Sequence, residues 1–264
     1  MMTPSLASFS PLRIALVLLA FALSGAAAHA KAGEVSHDGW GALLERYVVA
    51  GEDGVNRVDY AALKDSRADR DQLDGYIAQF AGLDFSTLSR DEQFAAWANL
   101  YNAVTVRYIV NTYPRSTIKP WYSTGPWKKI TVTANGEEIS LDGIEHDVLR
   151  VEWSDDPRLH YAINCASYGC PNLRRDPWRA ATLDEDLDAA ARAYINHPRG
   201  VTVLRRGLRV SSIYDWFRED FGGSEAGVIA HLLDYADPAL SDEIRANPDI
   251  RDHEYDWSLN DTDQ

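Results

Sequence analysis

Apolar residues recur at helical spacing in "HDGWGALLERYVV" (37–49) and "DQLDGYIAQFAGL" (71–83), so the N-terminal third is expected to be helical, with the turn-rich "AGEDGVNRVDY" between the two. The strongest helix signal spans Ser89 to Asn111, where Ser89 followed by Glu92 forms a capping box ahead of an apolar run. Phe94, Trp97, Tyr101, Val104 and Tyr108 share one face of that helix, and Val106, Ile109 and Val110 occupy the other. A helix apolar nearly all round is buried. Asn99 and Asn102 then lie inside one turn apart, and their amides need partners, either the backbone of a neighbouring loop or a ligand.

Further along, "YPRSTIKPWYSTGPW" (113–127) has no periodicity and reads as an ordered loop whose aromatics cover the core or line a cleft. "KKITVTANGEEISL" (128–141) alternates around Asn135-Gly136, the two-residue turn that matches strand twist, and is expected to be a hairpin. "LDGIEHDVLR" predicts a short helix with Asp142 as N-cap and Glu145 three residues on. "RLHYAIN" (158–164) alternates like a buried strand. The C-terminal part predicts a helix from Thr182 with Glu185 as its capping partner, a hairpin over Val201 to Ser211, and helices in "SSIYDWFREDFG" and "SEAGVIAHLLDYA". Helices and strands mixed without strict alternation indicate an α+β class with mainly antiparallel pairing. The expected arrangement is one domain in which the Ser89–Asn111 helix is buried against a sheet containing the 128–141 hairpin and the 159–164 strand.

The start of the chain changes the picture of compartment. Arg13, the apolar run "IALVLLAFALSGAAA" and then "AHA" have the order of a secretory signal peptide. Residues 1–30 are therefore excluded from the fold, and residues 31–264 are expected to be a single domain, periplasmic or secreted. The apolar run falls short of the roughly 20 residues a spanning helix needs, so no membrane insertion is expected after cleavage. With 26 Lys and Arg against 40 Asp and Glu, a net charge of −14, the surface repels phosphate backbones and argues against nucleic-acid partners.

Candidate chemistry concentrates in "HYAINCASYGC" (160–170), which contains both cysteines of the chain. Cys165 is expected where a strand gives way to a helical turn, a setting whose free amides favour a thiolate. A sulfur nucleophile also needs a base and a group to orient it. His160 and His146 are candidates for the base; Glu145, Asn102 or Asn99 for the orienting group. Asn99, Asn102, Asn164 and Ser167 are the candidate ligand contacts. Three accounts of the cysteines remain open: a functional thiol at Cys165, a Cys165–Cys170 disulfide made in an oxidising compartment, or two inert buried thiols. A metal site is disfavoured, because a single cysteine pair spaced by four is no zinc signature. The chain shows no glycine-rich phosphate loop, HExxH or GxSxG motif, and no cofactor is expected.

"WANLYNA", "LDGIEHDVLR", "DPRLHYAINCASYGCPNL", "VSSIYDWFREDF" and "YDWSLN", in that order, resemble the domain-of-unknown-function family 547 (DUF547) from about Val58 to Asn260. The family occurs in exported bacterial proteins and at the C-terminus of some plant proteins. The resemblance implies a fold like that of papain-like cysteine peptidases, which favours His146 as base, and glutathione or γ-glutamyl ligands. Two functions follow as expectations. One is an exported cysteine-dependent hydrolase or acyl transferase acting on a small peptide or γ-glutamyl thiol compound, with Cys165 as nucleophile. The other is a non-catalytic binding module for the same class of molecule, with the cysteines joined as a structural disulfide.

Overall fold

A computed structural model describes Met1 and residues 35–120 and 123–263. Apart from Met1, the signal peptide expected over residues 1–30 lies outside the described residues, as do Trp121 and Tyr122 of the aromatic loop. The first helix, α1 (Asp38–Tyr47), runs into a hairpin of β1 (Val48–Ala50) and β2 (Asn56–Val58), which takes the last two residues of the segment expected to be helical and part of the turn-rich stretch after it. Two helices follow, α2 (Tyr60–Asp65) and α3 (Arg67–Ala78), each capped by a side chain that accepts from a first-turn amide: Asp59 for α2 and Ser66 for α3.

Helix α4 (Arg90–Thr112) is the centre of the molecule. Ser89 accepts from the amide of Glu92 while Glu92 accepts from that of Ser89, so the expected capping box is present in both halves. Every residue from Phe94 to Val106 is buried, which is why the sequence is apolar around the whole circumference. Its walls are mainly helical: α2, α3 and the turns after Leu141 pack on it. Fully burying a side chain such as Leu100 or Phe94 contributes about 1.5–3 kcal/mol, and both are essentially inaccessible.

The α+β class holds, and among the described residues three of the four strand pairs are antiparallel and the single expected sheet is instead three small ones. The hairpin of β3 (Thr131–Ala134) and β4 (Glu137–Ser140) turns through Asn135 and Gly136, both at positive φ, as the Asn-Gly signal required. After it come α5 (Leu141–Gly143), a π-helical turn over Ile144–Leu149, and α6 (Arg150–Glu152). Here Ser140 is the cap, accepting from Gly143 N at 3.0 Å, and Asp142 lies two residues too far in for the role the sequence suggested.

The segment 159–164 corrects the sequence most sharply. Leu159–Ala162 is a helical turn, α7, and only Ile163 is extended. Its amides bond back three residues, Leu159 to Asp156, His160 to Pro157 and Tyr161 to Arg158. Because all four residues are buried, no polar face marks the period, and alternation there could not tell a strand from a short helix. Helix α8 (Leu183–Ile195) follows, but Thr182 makes no capping bond and instead donates to Asp186 at 2.7 Å. The chain ends with β5 (Val201–Val203), β6 (Leu208–Ser211), α9 (Ile213–Trp216), α10 (Glu225–Tyr235), α11 (Pro238–Ala246) and β7 (Ile250–Glu254), which adds parallel to β6. The helix expected in "SSIYDWFREDFG" covers only its first third.

Two hydrophobic clusters result. The larger surrounds α4; the smaller gathers α8, α10 and the β5–β6–β7 sheet around Tyr194, Phe221 and Leu232. Among the described residues no helix is long and apolar enough to cross a membrane.

Candidate functional site

Between the two clusters lies a cleft of about 260 Å³ whose lining includes Cys165, Cys170, Glu145, His146 and His160, together with Tyr101, Trp127, Trp216, Tyr255 and Trp257. The structure thus brings together all four expected catalytic candidates. None of Asn99, Asn102, Asn164 and Ser167 lines the cleft. They lie behind it.

Those four build the loop that carries the cysteines. Asn99 clamps Trp178, donating to its carbonyl at 2.8 Å and accepting from its amide at 3.0 Å. One turn later Asn102 donates to Ala162 O at 2.9 Å and accepts from Asn164 N at 2.8 Å. Asn164 passes the constraint on, accepting from Ala166 N at 2.8 Å and donating to Pro171 O at 2.7 Å. This closes an Asx turn around Cys165. Ala166 is held at φ 63°, a left-handed conformation costly for a residue with a Cβ. No helix begins at Cys165, so the helix-terminus setting expected for its sulfur is not the one found.

Cys165 and Cys170 are joined as a disulfide, their Cα atoms 6.3 Å apart. Of the accounts left open by the sequence, the structure takes this one. Cys165 is half-buried and Cys170 is 3% exposed. The Cys165 amide donates to Cys170 Sγ at 2.9 Å. Tyr255 OH lies 3.0 Å from Cys170 Sγ and 3.3 Å from Cys165 Sγ; Ser167 Oγ lies 3.4 Å and 3.2 Å from the same atoms. Sulfurs in a disulfide carry no proton, so in any bond to them the hydroxyl donates; Ser167 Oγ also lies 3.1 Å from Tyr255 OH, to which its single proton can go instead.

The titratable side chains come from the π-helical turn and the segment before the loop. Burial pushes the Glu145 carboxyl up to about 7, with Asp142 and Asp220 adding to the effect, against a hydrogen bond from Tyr101 OH at 3.3 Å. His146 is pushed down by burial and by the Arg150 cation, against the pull of Asp142. Its Nδ1 accepts from Arg150 at 2.9 Å, since a guanidinium can only donate. His160, pushed down by burial, bonds through Nε2 to Asp220 at 2.7 Å, and a carboxylate can only accept. Burial alone would raise Asp220, but His160 and Arg150 hold it well below the carboxylate range. Arg150 reaches Asp220 through two nitrogens, at 2.6 and 2.8 Å. Both histidines therefore have one nitrogen committed to this network, and the hydrogen-bond partners found for Cys165 Sγ are Ser167 and Tyr255 rather than a histidine.

Four aromatic side chains wall the other side. Trp216 stacks on Trp257 at 5.5 Å, Tyr255 meets both at 4.9 and 4.6 Å, and Trp127 approaches Trp257 at 5.8 Å. Trp216 stays 47% exposed, and Lys119 Nζ sits over the Trp257 ring at 4.4 Å. Trp127 belongs to the aromatic loop, so that loop does line the cleft as well as cover the core. Tyr255, Trp257, Asp220 and Arg150 were not singled out by sequence reasoning. The signal available was "YDW" occurring twice, at 214–216 and 255–257, with one tryptophan of each stacking on the other. Among the described residues no group of three or more His, Cys, Asp and Glu side chains is gathered as metal ligands.

Compared with known proteins, the chain matches over residues 85–195 the family model described as "Protein of unknown function, DUF547". That stretch holds α4, the π-helical turn, the cysteine loop and α8, while Asp220, Tyr255 and Trp257 lie beyond it. No curated relative and no solved structure matches the chain.

Proposed function

We propose that in this chain, whose residues 85–195 match the DUF547 family model, the aromatic cleft binds a small peptide or γ-glutamyl thiol compound, and that Cys165, once a low-molecular-weight thiol has reduced its disulfide, attacks a carbonyl of it. The observation that carries this reading is a half-buried sulfur sharing a cleft with Glu145, a carboxyl whose pKa is pushed up to about 7. Such a group is poised to accept and return a proton near neutral pH. In the proposed sequence Glu145 takes the Cys165 thiol proton and the sulfur bonds to the carbonyl carbon. The amine then leaves with the proton returned by Glu145. Water, or a second amine, cleaves the resulting thioester, giving hydrolysis or acyl transfer. Glu145 is the base in this scheme because its carboxyl is held at about 7, whereas burial pushes both imidazoles down. Export, proposed from residues 1–30, supplies the oxidising surroundings in which a disulfide persists.

The closed disulfide supports a second reading, the binding module, in which the same cleft holds its ligand without reacting. Alkylation of the reduced protein by iodoacetamide separates the two. Under the first reading, labelling of Cys165 rises with an inflection near pH 7 that moves when Glu145→Gln removes the base. An inflection at the ordinary thiol value of about 8.5, unmoved by Glu145→Gln, sinks the first reading and leaves the second.

A further inference from the structure

We propose that Cys165–Cys170 is a thiol–disulfide exchange site for a low-molecular-weight thiol entering the aromatic cleft, with Cys165 Sγ the sulfur attacked and Cys170 the leaving thiolate. This goes beyond acyl chemistry and stands whether or not Cys165 attacks a carbonyl. Three observations fix the polarity. The first is access: Cys165 is half-buried at the cleft, whereas Cys170 is 3% exposed, so an incoming sulfur meets Cys165.

The second is the set of donors around the buried sulfur. The Cys165 amide points at Cys170 Sγ at 2.9 Å, and this donor stays in place whatever the hydroxyls do. Tyr255 OH at 3.0 Å and Ser167 Oγ at 3.4 Å complete the shell. Burial pushes the Tyr255 phenol far up, which keeps it a donor at every working pH. In a leaving thiolate these become charge-assisted bonds, stronger than those made to the neutral disulfide, so the shell favours the product of bond breaking.

The third is a cation without an anion. Arg199 donates to Cys170 O at 2.6 Å, to Tyr168 O at 3.0 Å and to Asn172 Oδ1 at 2.7 Å, all neutral acceptors. Its Nε is buried with no hydrogen-bond partner. The side chain as a whole is half-buried, and among the described residues it makes no ion pair with a carboxylate. A thiolate at Cys170 places a negative charge beside the peptide unit that Arg199 already holds.

The chemistry balances as follows. The thiol loses its proton to solvent, its sulfur bonds to Cys165 Sγ, and the S–S bond breaks with its electron pair going to Cys170. A second molecule of the thiol attacks the mixed disulfide at the ligand sulfur, releasing the small-molecule disulfide and the Cys165 thiolate. Two thiols are oxidised by the two electrons that reduce the protein disulfide.

Cysteamine, added to the purified oxidised protein and quenched with acid, tests the polarity by mass-spectrometric mapping of the mixed disulfide. The adduct is expected on Cys165 at least ten times as often as on Cys170. A Cys165→Ala variant, which keeps the amide donor, isolates Cys170 for thiolate titration by ultraviolet absorbance. Its inflection is expected below the ordinary value of about 8.5, and raised again when Tyr255→Phe or Arg199→Met is added. Tyr255→Phe in the otherwise native protein is expected to slow opening about ten-fold, the size of one hydrogen bond to a charged group. Adducts equally on both cysteines or mainly on Cys170, or a Cys170 inflection at or above 8.5, overturn the proposal. So does a disulfide that cysteamine opens no faster than it opens the same loop in an unfolded peptide.

Discussion

Glu145 shows how one residue carries two consequences. Its carboxyl sits in the π-helical turn that also presents His146, a helix form found disproportionately at functional sites. Burial holds it at about 7 against an ordinary 4.5. Between those values the folded chain retains a proton that the unfolded chain has lost, so stability is greatest below pH 4.5 as far as this residue is concerned and falls as pH rises to about 7. The sum is about 3 kcal/mol, from the free-energy equivalent of a pKa difference. Glu145→Gln is expected to remove that slope, leaving the variant up to about 3 kcal/mol more stable than the native chain at pH 8 and little changed at pH 4.5. Urea unfolding midpoints across pH 4.5–8 check it. Parallel curves for the two proteins contradict the burial argument.

The helix α4 acts as a two-point clamp. Asn99 and Asn102, one turn apart, each give both amide atoms to the backbone of another segment, Trp178 for the first and the Ala162–Asn164 stretch for the second. This is why a helix buried all round keeps two asparagines, and why the sequence showed that they must be paired but not with what. Asn102→Ala leaves the buried amide of Asn164 without a partner, while Ala162 O keeps its bond from Trp178 Nε1 at 3.0 Å. The expected cost is about 1–3 kcal/mol, that of one orphaned buried group, together with faster opening of the disulfide by an added thiol. Asn102→Asp keeps the acceptor for Asn164 N but sets a buried carboxylate against Ala162 O, and is expected to cost at least as much. A loss under about 0.5 kcal/mol for Asn102→Ala, within the range of an ordinary surface change, means that the clamp does not hold the loop.

The same element explains what was legible in the chain. Capping, the all-round apolar pattern and the Asn-Gly turn are local signals, and α4 and the β3–β4 hairpin appeared where those signals placed them. The 159–164 segment is buried on every side, so no solvent face printed a period on it. Glu145 and the two histidines could be named as chemistry-bearing residues from "LDGIEHDVLR" and "HYAINCASYGC". His146 meets Arg150 four residues on, a pair that helical spacing allows, but the bonds of Arg150 and His160 to Asp220 cross 70 and 60 residues and depend on packing that spacing does not encode.

At the scale of the whole molecule, the cleft follows the seam between the two hydrophobic clusters, where pockets commonly form. Arg150 and His160 from one side meet Asp220 from the other across it. The C-terminal segment crosses the same seam: Tyr168 N bonds to Ser258 O, Gly169 N to Asp256 O and Asn260 N to Ala166 O. Tyr255 and Trp257 thereby reach a site whose other half lies some ninety residues earlier.

Charge acts on that site from the entire surface. The chain carries a net −14, and Asp142 and Glu145 stand at the cleft, so an approaching thiol meets a negative potential before it meets the disulfide. A cationic thiol is drawn in and an anionic one repelled, an effect on encounter rate that ionic screening removes. Cysteamine is therefore expected to open Cys165–Cys170 faster than 2-mercaptoethanesulfonate by about ten-fold or more at low salt, after each rate is divided by that for an uncharged model disulfide and corrected for the fraction present as thiolate. At about 1 M salt, where the screening length is near 3 Å, the two normalised rates are expected to converge. Lys119 and Lys128, near the rim, work against the trend locally. If they dominated, 2-mercaptoethanesulfonate would be the faster reagent at low salt, and salt would slow it. That result would reverse the assignment and mark the cleft as one built for an anionic thiol.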